Sequence, residues 1–448
     1  MREPIVAVAT PFGESAIGIV RLSGKGVLDI VKRHFRTKST LRPRYAHYGQ
    51  LVDEKEEVID EGILIYYRAP HSYTGEDMVE LNLHGNPLIL QRTVEIFLRA
   101  GCRLAQPGEF TKRAFLNGKM DLTQAEAVAE LISAKTELAR KVALRQLSGE
   151  LSKYIAPLRE SLLELCAYIE ADIEFSEEDI PTLSKEQVLD MVDRVIEGID
   201  KLLETAHTGR LIREGLKLAI VGKPNVGKSS LFNALLKKER SIVTDIEGTT
   251  RDYIEESLNL KGIPVRLIDT AGIRETQDPV ERIGVQRSRE RVEEADIVLL
   301  VVDASEPLSD EDMAIYELVK NKDLIVVFNK VDKGVLIPLE IFEGHSIIKV
   351  SALRGYGLKD LEEEILKKAG VLTQEGLNIY VSLRHEELLK KSKGVLEGFK
   401  ERYTREEISP EIAMLDIREA SDYLGEILGS ITTEDILGSI FSRFCIGK

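Results

Sequence analysis

Residues 216–236 read LKLAIVGKPNVGKSSLFNALL, an apolar strand-like run followed by a glycine-rich loop and a helical pattern. The loop from Gly222 to Ser229 fits the spacing G-x-x-x-x-G-K-[ST]. Glycines at these positions let backbone N–H groups wrap phosphates, Lys228 offers a point charge to the β- and γ-phosphates, and the Ser229 hydroxyl can bind Mg²⁺. The stretch therefore predicts a phosphate site between a strand and a helix.

A second group of motifs predicts which base is bound. Asn329-Lys330-Val331-Asp332 follows the strand-like run LIVVF, and Ser351-Ala352 follows IIKV. A carboxylate at Asp332 can accept hydrogen bonds from the ring N–H and the exocyclic amine of guanine, which adenine does not offer in that pattern. We expect Asn329 to tie this loop to the phosphate loop, Lys330 to lie along the base, and the 351–352 backbone to bind the guanine oxygen. These motifs predict GTP rather than ATP.

The segments that would respond to the γ-phosphate lie between those motifs. Asp269 and Gly272 begin and end DTAG, where the aspartate can hold Mg²⁺ through water and the glycine N–H can contact a γ-phosphate. A threonine in SIVTDIEGTTRD (241–252) is expected to close over Mg²⁺. Many small GTPases place a water-orienting glutamine directly after DTAG, but this chain has Ile273 there. Catalysis therefore needs another polar group and another positive charge.

The remaining pattern divides the chain into four stretches and predicts a multidomain α/β protein. Residues 1–118 mix strand-like runs with a helix, which indicates an α+β domain. Residues 119–213 and 373–448 have helical periodicity, and 214–372 alternate strands with helices, as in a Ras-like P-loop G domain with a parallel sheet. The simplest topology is a discontinuous helical domain with the G domain inserted into it.

Composition restricts the class of protein further. The chain has 448 residues, 61 Lys and Arg against 76 Asp and Glu, and a formal net charge of −15, which disfavours unaided binding to nucleic acid. Its three cysteines lack CxxC spacing, which excludes a disulfide framework or structural zinc site and fits a reducing cytoplasm. We expect no secretion signal and no membrane span, because the longest apolar run is only Ile297 to Val302.

The whole chain resembles the MnmE (TrmE) family of bacterial tRNA modification GTPases. The resemblance rests on GTTRD (248–252), DTAGIRE (269–275), VERIG (280–284) and the terminal CIGK (445–448). It implies that the G domains dimerise around a potassium ion that takes the place of an arginine finger. The implied potassium ligands are the Asn225 side chain, the Thr244 and Ile246 carbonyls, and Thr249.

The resemblance also implies the magnesium ligands and the catalytic acid. Ser229 and Thr250 would bind Mg²⁺, and Glu281 would orient the attacking water. From the residues alone, Glu281 is one acid among many at a polar helix start. The full set of implied GTP-binding residues is Asn225, Val226, Gly227, Lys228, Ser229, Ser230, Thr244, Asp245, Ile246, Glu247, Gly248, Thr249, Thr250, Asp269, Thr270, Ala271, Gly272, Asn329, Lys330, Asp332, Ser351 and Ala352.

For residues 1–118, the resemblance implies a folate-binding-like domain that takes a 5-formyl or 5,10-methylene tetrahydrofolate. The matching positions are Arg21, Glu80, Lys119 and the terminal Lys448. A carboxylate suits the donor edge of a pterin, and Arg or Lys suits the glutamate tail. Without the resemblance, Arg21 and Lys119 are ordinary surface cations. A thiolate at Cys445 could attack a folate or uracil ring; alternatively it is a small apolar residue packed near the folate.

The activity implied by the resemblance is a coupled one. A cytoplasmic homodimer, joined through its N-terminal domains, would act with the FAD- and NADH-using protein MnmG (GidA) in a heterotetramer or larger complex. Together they would add an aminomethyl or carboxymethylaminomethyl group to the 5-position of the tRNA wobble uridine, with the folate supplying the carbon. Two alternatives stay open: a ribosome-assembly GTPase of the Era/EngA type, and a folate-binding protein whose GTPase only regulates assembly.

Overall fold

The computed structural model describes residues 3–174, 183–238, 257–268, 292–371, 379–442 and 444–448. The strands are β1 (Ile5–Val8), β2 (Ser15–Ser23), β3 (Phe35–Arg36), β4 (Ala46–Val52), β5 (Val58–Tyr67), β6 (Met78–Gly85), β7 (Arg103–Leu104), β8 (Leu216–Val221), β9 (Ser257–Leu260), β10 (Ile263–Ile268), β11 (Ile297–Asp303), β12 (Leu324–Asn329) and β13 (Ser346–Lys349). The helices are α1 (Val27–His34), α2 (Pro87–Arg99), α3 (Glu109–Leu116), α4 (Leu122–Ser133), α5 (Glu137–Leu147), α6 (Glu150–Glu174), α7 (Lys185–Leu203), α8 (Ala206–Glu214), α9 (Lys228–Lys238), α10 (Asp310–Val319), α11 (Leu358–Lys368), α12 (Leu383–Thr404), α13 (Pro410–Leu428) and α14 (Glu434–Phe441).

The chain divides into two compact units. The first comprises Met1–Ala129, Gln146–Glu160 and Ser421–Lys448, and the second comprises Glu130–Arg145 and Ser161–Ala420. These limits differ from the predicted ends at residues 118, 213 and 372, so the predicted domain boundaries stay predictions. None of the helices in the described ranges is long and apolar enough to cross a membrane.

The first unit contains a seven-stranded sheet in the order β3-β4-β5-β6-β2-β1-β7. Neighbouring strands are antiparallel except β1 and β7. Its core contains side chains from β2, β5, β6 and α2, among them Leu22, Leu64, Leu81 and Phe97, which are fully buried. Along most of β6, buried residues alternate with partly buried or exposed ones, as in a sheet with one covered face. The predicted α+β arrangement of this region is confirmed.

The second unit contains a six-stranded sheet in the order β13-β12-β11-β8-β10-β9, parallel except for β9. Alternate residues of β11 enter two separate cores: Ile297, Leu299 and Val301 pack in one, and their neighbours in the other. Burial on both faces explains why this strand is a continuous apolar run. The predicted parallel sheet is confirmed, and its carboxyl edge carries the loops of the sequence motifs.

The helical periodicity after residue 121 is confirmed by α4 to α8 and by α12 and α13. Helix α7 begins with a capping box between Ser184 and Gln187, which satisfies backbone N–H groups at its first turn. Its buried residues recur at intervals of three and four, and Lys393 of α12 forms an ion pair with Asp200 of α7 at 2.6 Å. The two helices therefore combine an apolar seam with charge pairing.

The β9–β10 hairpin packs closely against the start of α5. At the hairpin turn, Gly262 has a φ of +99°, and a Cβ there would lie 2.7 Å from the Cβ of Leu138. The Thr136 hydroxyl donates a hydrogen bond to Gly262 O at 2.7 Å. Both the backbone conformation and the space require glycine.

We predict that Gly262→Ala lowers the free energy of unfolding by about 2–4 kcal/mol, because it combines left-handed strain with overpacking. Urea unfolding followed by circular dichroism measures the loss. The matched control is Gly398→Ala in α12, where an added Cβ meets nothing within 4 Å. A helix-interior Gly→Ala change should stabilise by about 0.5–1 kcal/mol. Equal urea midpoints for Gly262→Ala and Gly398→Ala would contradict the close contact between Gly262 and Leu138.

Candidate functional site

The phosphate loop joins β8 to α9 and depends on two glycines. A Cβ on Gly222 would lie 2.3 Å from Val301 O, and one on Gly227 would lie 2.3 Å from Asn329 Nδ2. Between them, Asn225 has a φ of +64° and is exposed, while Val226 is buried. The loop therefore presents its backbone at the surface while Val226 anchors it in the core.

The Lys228 ammonium lies inside this loop. It donates hydrogen bonds to Gly222 O at 2.6 Å and to Lys223 O at 2.8 Å. Burial lowers the pKa of Lys228. Ser229 and Ser230 follow in the first turn of α9, where both are exposed and where the free N–H groups and the helix dipole favour anions.

Asn329, the last residue of β12, joins three loops through its buried side-chain amide. Its Nδ2 donates to Val226 O at 2.8 Å, and its Oδ1 accepts from the Ala352 N–H at 3.1 Å. The residue is 2% exposed, so these bonds are shielded from water. The structure therefore joins the phosphate loop, the 329–332 loop and the 351–352 loop into one cluster.

Asp332 lies in the short helical turn Val331–Lys333 that follows Asn329. A hydrogen bond from the Ser351 side chain holds the pKa of Asp332 below its usual value, and the positive charge of Arg354 acts in the same direction. The Arg354 Nε lies 3.6 Å from Asp332 Oδ2. The carboxylate is thus kept ionised, so both of its oxygens can accept hydrogen bonds.

Lys330 is held on two sides. Its Nζ donates to Asn225 O at 2.8 Å and to Asp303 Oδ2 at 2.6 Å. Sequence reasoning missed Asp303, because it belongs to none of the nucleotide-binding motifs. The signal that could have found it is its position as a charged residue at the end of a buried apolar strand.

The predicted switch residues and the predicted catalytic acid lie outside the described residues. They are Thr244, Asp245, Ile246, Glu247, Gly248, Thr249, Thr250, Asp269, Thr270, Ala271, Gly272 and Glu281.

A second cluster of candidate residues forms in the first unit. Arg21 of β2 stands opposite Glu80 of β6 in the sheet register, and its Nε donates to Glu80 Oε1 at 2.9 Å. Both side chains are 15% exposed. The Arg21 guanidinium carbon lies 5.8 Å from the Tyr73 ring centre and 5.7 Å from that of Phe110, within the range of cation–π attraction. Sequence reasoning missed both rings, since apolar rings in a short loop or helix resemble ordinary core residues.

The C-terminal residues dock at the same place. Arg21 Nη1 donates to Gly447 O at 3.2 Å, and the Phe110 N–H donates to Lys448 O at 3.1 Å. Gly447 has a φ of +96°, and a Cβ there would lie 2.2 Å from Val8 O. Burial lowers the pKa of Lys448, and the positive charge of Arg21 lowers it further.

Two predicted residues have different surroundings. The Lys119 ammonium donates to Pro70 O at 3.1 Å, and among the described residues it makes no hydrogen bond or ion pair with Arg21 or Glu80. Cys445 is an exposed free thiol. Arg21, Glu80 and Lys448 are therefore brought together, while Lys119 holds the loop that carries Tyr73.

We predict that Arg21→Gln loosens the docked C-terminus. Removal of the guanidinium from this largely buried ion pair eliminates charge-assisted hydrogen bonds, and Glu80 keeps the Tyr67 hydroxyl as a donor at 3.3 Å. The expected local loss is about 1–3 kcal/mol, or a 10–100-fold fall in hydrogen-exchange protection over residues 444–448. The control is Lys32→Gln, which breaks an exposed pair with Asp29 at 3.6 Å in the same unit. Unchanged protection in Arg21→Gln would show that the ion pair does not hold the terminus.

Comparisons with known proteins agree with these features. The MnmE helical domain model matches residues 122–445, and the model described as GTP-binding protein TrmE N-terminus matches residues 4–119. The tRNA modification GTPase MnmE of Aquifex aeolicus (strain VF5) is 73% identical over the full length of both chains. The enzyme of the same name from Alkaliphilus oremlandii (strain OhILAs) is 46% identical and covers 100% of this chain and 99% of its own.

Among solved structures, Era of Aquifex aeolicus bound to GDP and AlF4⁻ is 33% identical over 40% of this chain and 66% of its own. Its TM-score is 0.27, so the G-domain fold rests on the strand order given above. The full-length relatives and the two domain models agree with one another. The chain is a GTPase and belongs to the MnmE family of tRNA modification GTPases.

Proposed function

We propose that GTP binds along the carboxyl edge of the second sheet. The observation that carries this proposal is the pair of Asn329 hydrogen bonds, which fixes the phosphate loop and both base loops in one arrangement. The phosphates would be bound by residues 225–230. The base would be bound by Lys330, Asp332, Ser351 and Ala352. The ionised Asp332 supports guanine, because both donors of the guanine edge then find an acceptor.

For hydrolysis, the proposal assigns two cations to the phosphates. Ser229 with Thr250 would hold Mg²⁺, and Asn225 with Thr244, Ile246 and Thr249 would hold K⁺. The exposed hydroxyl of Ser229 on the first turn of α9 and the exposed side chain of Asn225 fit these roles among the described residues. Bound cations there would offset the charge that develops on the phosphates. Glu281 would orient the attacking water.

We also propose that the Arg21 cluster binds a tetrahydrofolate derivative, in the 5-formyl or 5,10-methylene form. The support is a carboxylate, two cations and two aromatic rings at the docked C-terminus, which suit a flat pterin with an acidic tail. Lys119 would contribute from the neighbouring loop. The exposed thiol of Cys445 keeps a covalent role as a hypothesis.

The complete activity follows from family membership together with this second site. The homodimer and the FAD- and NADH-using MnmG would together attach an aminomethyl or carboxymethylaminomethyl group to the tRNA wobble uridine, in the cytoplasm. The net charge of −15 is consistent with the partner supplying much of the grip on tRNA. The alternative, an Era-type role in ribosome assembly, does not account for the Arg21 cluster.

We predict that Asp332→Asn weakens GTP binding about 100-fold or more and improves xanthosine triphosphate binding. The substituted amide group would present an N–H donor where the Asp332 carboxylate presented an acceptor. That donor can bind the carbonyl of xanthine but faces the exocyclic amine, also a donor, of guanine. Equilibrium titration with both nucleotides measures the exchange. Asp323→Asn, an exposed acid in the same domain, is the control. Undiminished GTP affinity in Asp332→Asn would contradict the assignment of the base site.

We predict that cells lacking this gene lose the modified wobble uridine, as measured by nucleoside mass spectrometry of total tRNA. Wild type should restore the nucleoside and Glu281→Ala should not, because modification depends on hydrolysis. A Cys445→Ser protein tests the thiol, and full restoration would end its covalent role. Unchanged tRNA with a ribosome-assembly defect would refute the modification pathway. Folate binding with unchanged tRNA would favour a purely regulatory GTPase.

A further inference from the structure

The carboxyl end of β11 carries a buried acid between the two nucleotide loops. Asp303 is the last residue of β11, its side chain is 5% exposed, and it is paired in register with Asn329 of β12. The sheet places β11 between β8, which leads into the phosphate loop, and β12, which leads into the base loop. Asp303 therefore stands at the sheet edge where the two loops meet.

Both carboxylate oxygens of Asp303 are in use. Oδ2 accepts from Lys330 Nζ at 2.6 Å, and Oδ1 accepts from the Ser305 N–H at 3.0 Å and from its hydroxyl at 2.7 Å. Burial alone raises the pKa of Asp303, but the hydrogen bonds from Lys330 and Ser305 outweigh burial and lower that pKa below its usual value. The acid is thus a fixed negative charge.

Lys330 needs partners to hold its side chain in one conformation, because a lysine side chain is long and has many rotamers. Its backbone has a φ of +61°, a left-handed conformation that non-glycine residues adopt at an energetic cost. Its ammonium bridges Asp303 Oδ2 and Asn225 O, and the side chain remains 28% exposed. The ion pair therefore restricts the lysine while part of its side chain stays open to a ligand.

We propose that Asp303 is a positioning residue for nucleotide binding, which holds Lys330 along the base and keeps the phosphate and base loops together before the nucleotide arrives. The inference rests on the proposed assignment of Lys330 to the base and adds a residue that touches no part of the nucleotide. Because Asp303 acts on the binding arrangement rather than on the reacting phosphate, its loss weakens affinity and leaves the chemical step unchanged.

The test uses the full-length protein and a double-mutant cycle of Asp303→Asn and Lys330→Met. The Kd for GDP is measured by fluorescence titration, and kcat and KM for GTP by phosphate release. We expect Asp303→Asn to raise Kd and KM about tenfold with kcat within twofold, as for the loss of a charge-assisted hydrogen bond. The double variant should bind no more weakly than Lys330→Met, because Asp303 acts through Lys330.

The matched control is Glu317→Gln on α10, the same acid-to-amide change in an exposed ion pair with Lys320, which should leave Kd unchanged. If Asp303→Asn does not fold, Ser305→Ala is used instead. It removes the hydroxyl hydrogen bond to Asp303 Oδ1 and keeps the negative charge of Asp303. A two- to threefold rise in Kd that disappears in the Lys330→Met background supports the proposal, and no rise overturns it.

Two further outcomes overturn the proposal for different reasons. Asp303 does not act through Lys330 if the Kd of Asp303→Asn is unchanged, or if the two fold-increases in Kd multiply in the double variant. Either result leaves the proposed function intact. An unchanged Kd in Lys330→Met removes the base assignment itself, and the role of Asp303 with it. The two failures are therefore distinguishable.

Discussion

The side-chain amide of Asn329 is buried at the carboxyl edge of the second sheet, where it donates to Val226 O and accepts from the Ala352 N–H. A single planar amide can satisfy both partners only if the phosphate loop and the 351–352 loop hold fixed positions on either side of it. Gly227 makes this possible, because any side chain there would collide with Asn329. The remaining contacts of the nucleotide site are arranged around this bond pair.

The cations of both candidate sites share a physical design. Lys228 is capped by carbonyls of its own loop, Lys330 by Asp303 and a carbonyl, and Arg21 by Glu80 and Gly447 O. A charge that is already oriented costs little reorganisation when an anionic ligand binds. Because Glu80 and Asp303 offset the charges of Arg21 and Lys330, these sites supply oriented donors without a large excess of positive charge.

The Arg21 cluster depends on the last residues of the chain. Gly447 approaches Val8 O so closely that a side chain is excluded, and Lys448 O accepts from the Phe110 N–H. The cluster thus combines strand residues near the start of the sequence with backbone groups at its end. Its aromatic faces come from a loop and from α3, which are joined by a hydrogen bond between the Tyr73 hydroxyl and the Thr111 hydroxyl at 2.8 Å.

The parallel sheet, the phosphate loop and the base motif are all predictable from the amino-acid sequence, because each follows from local spacing: a buried apolar run, two glycines and a lysine, or a carboxylate after a strand. Family resemblance added Arg21, Glu80 and Lys448. Three contacts become apparent only in the folded chain: Asp303 faces Lys330, Tyr73 and Phe110 flank Arg21, and Lys119 donates to the loop that carries Tyr73. These contacts join residues far apart in the chain, and packing rather than local pattern sets them.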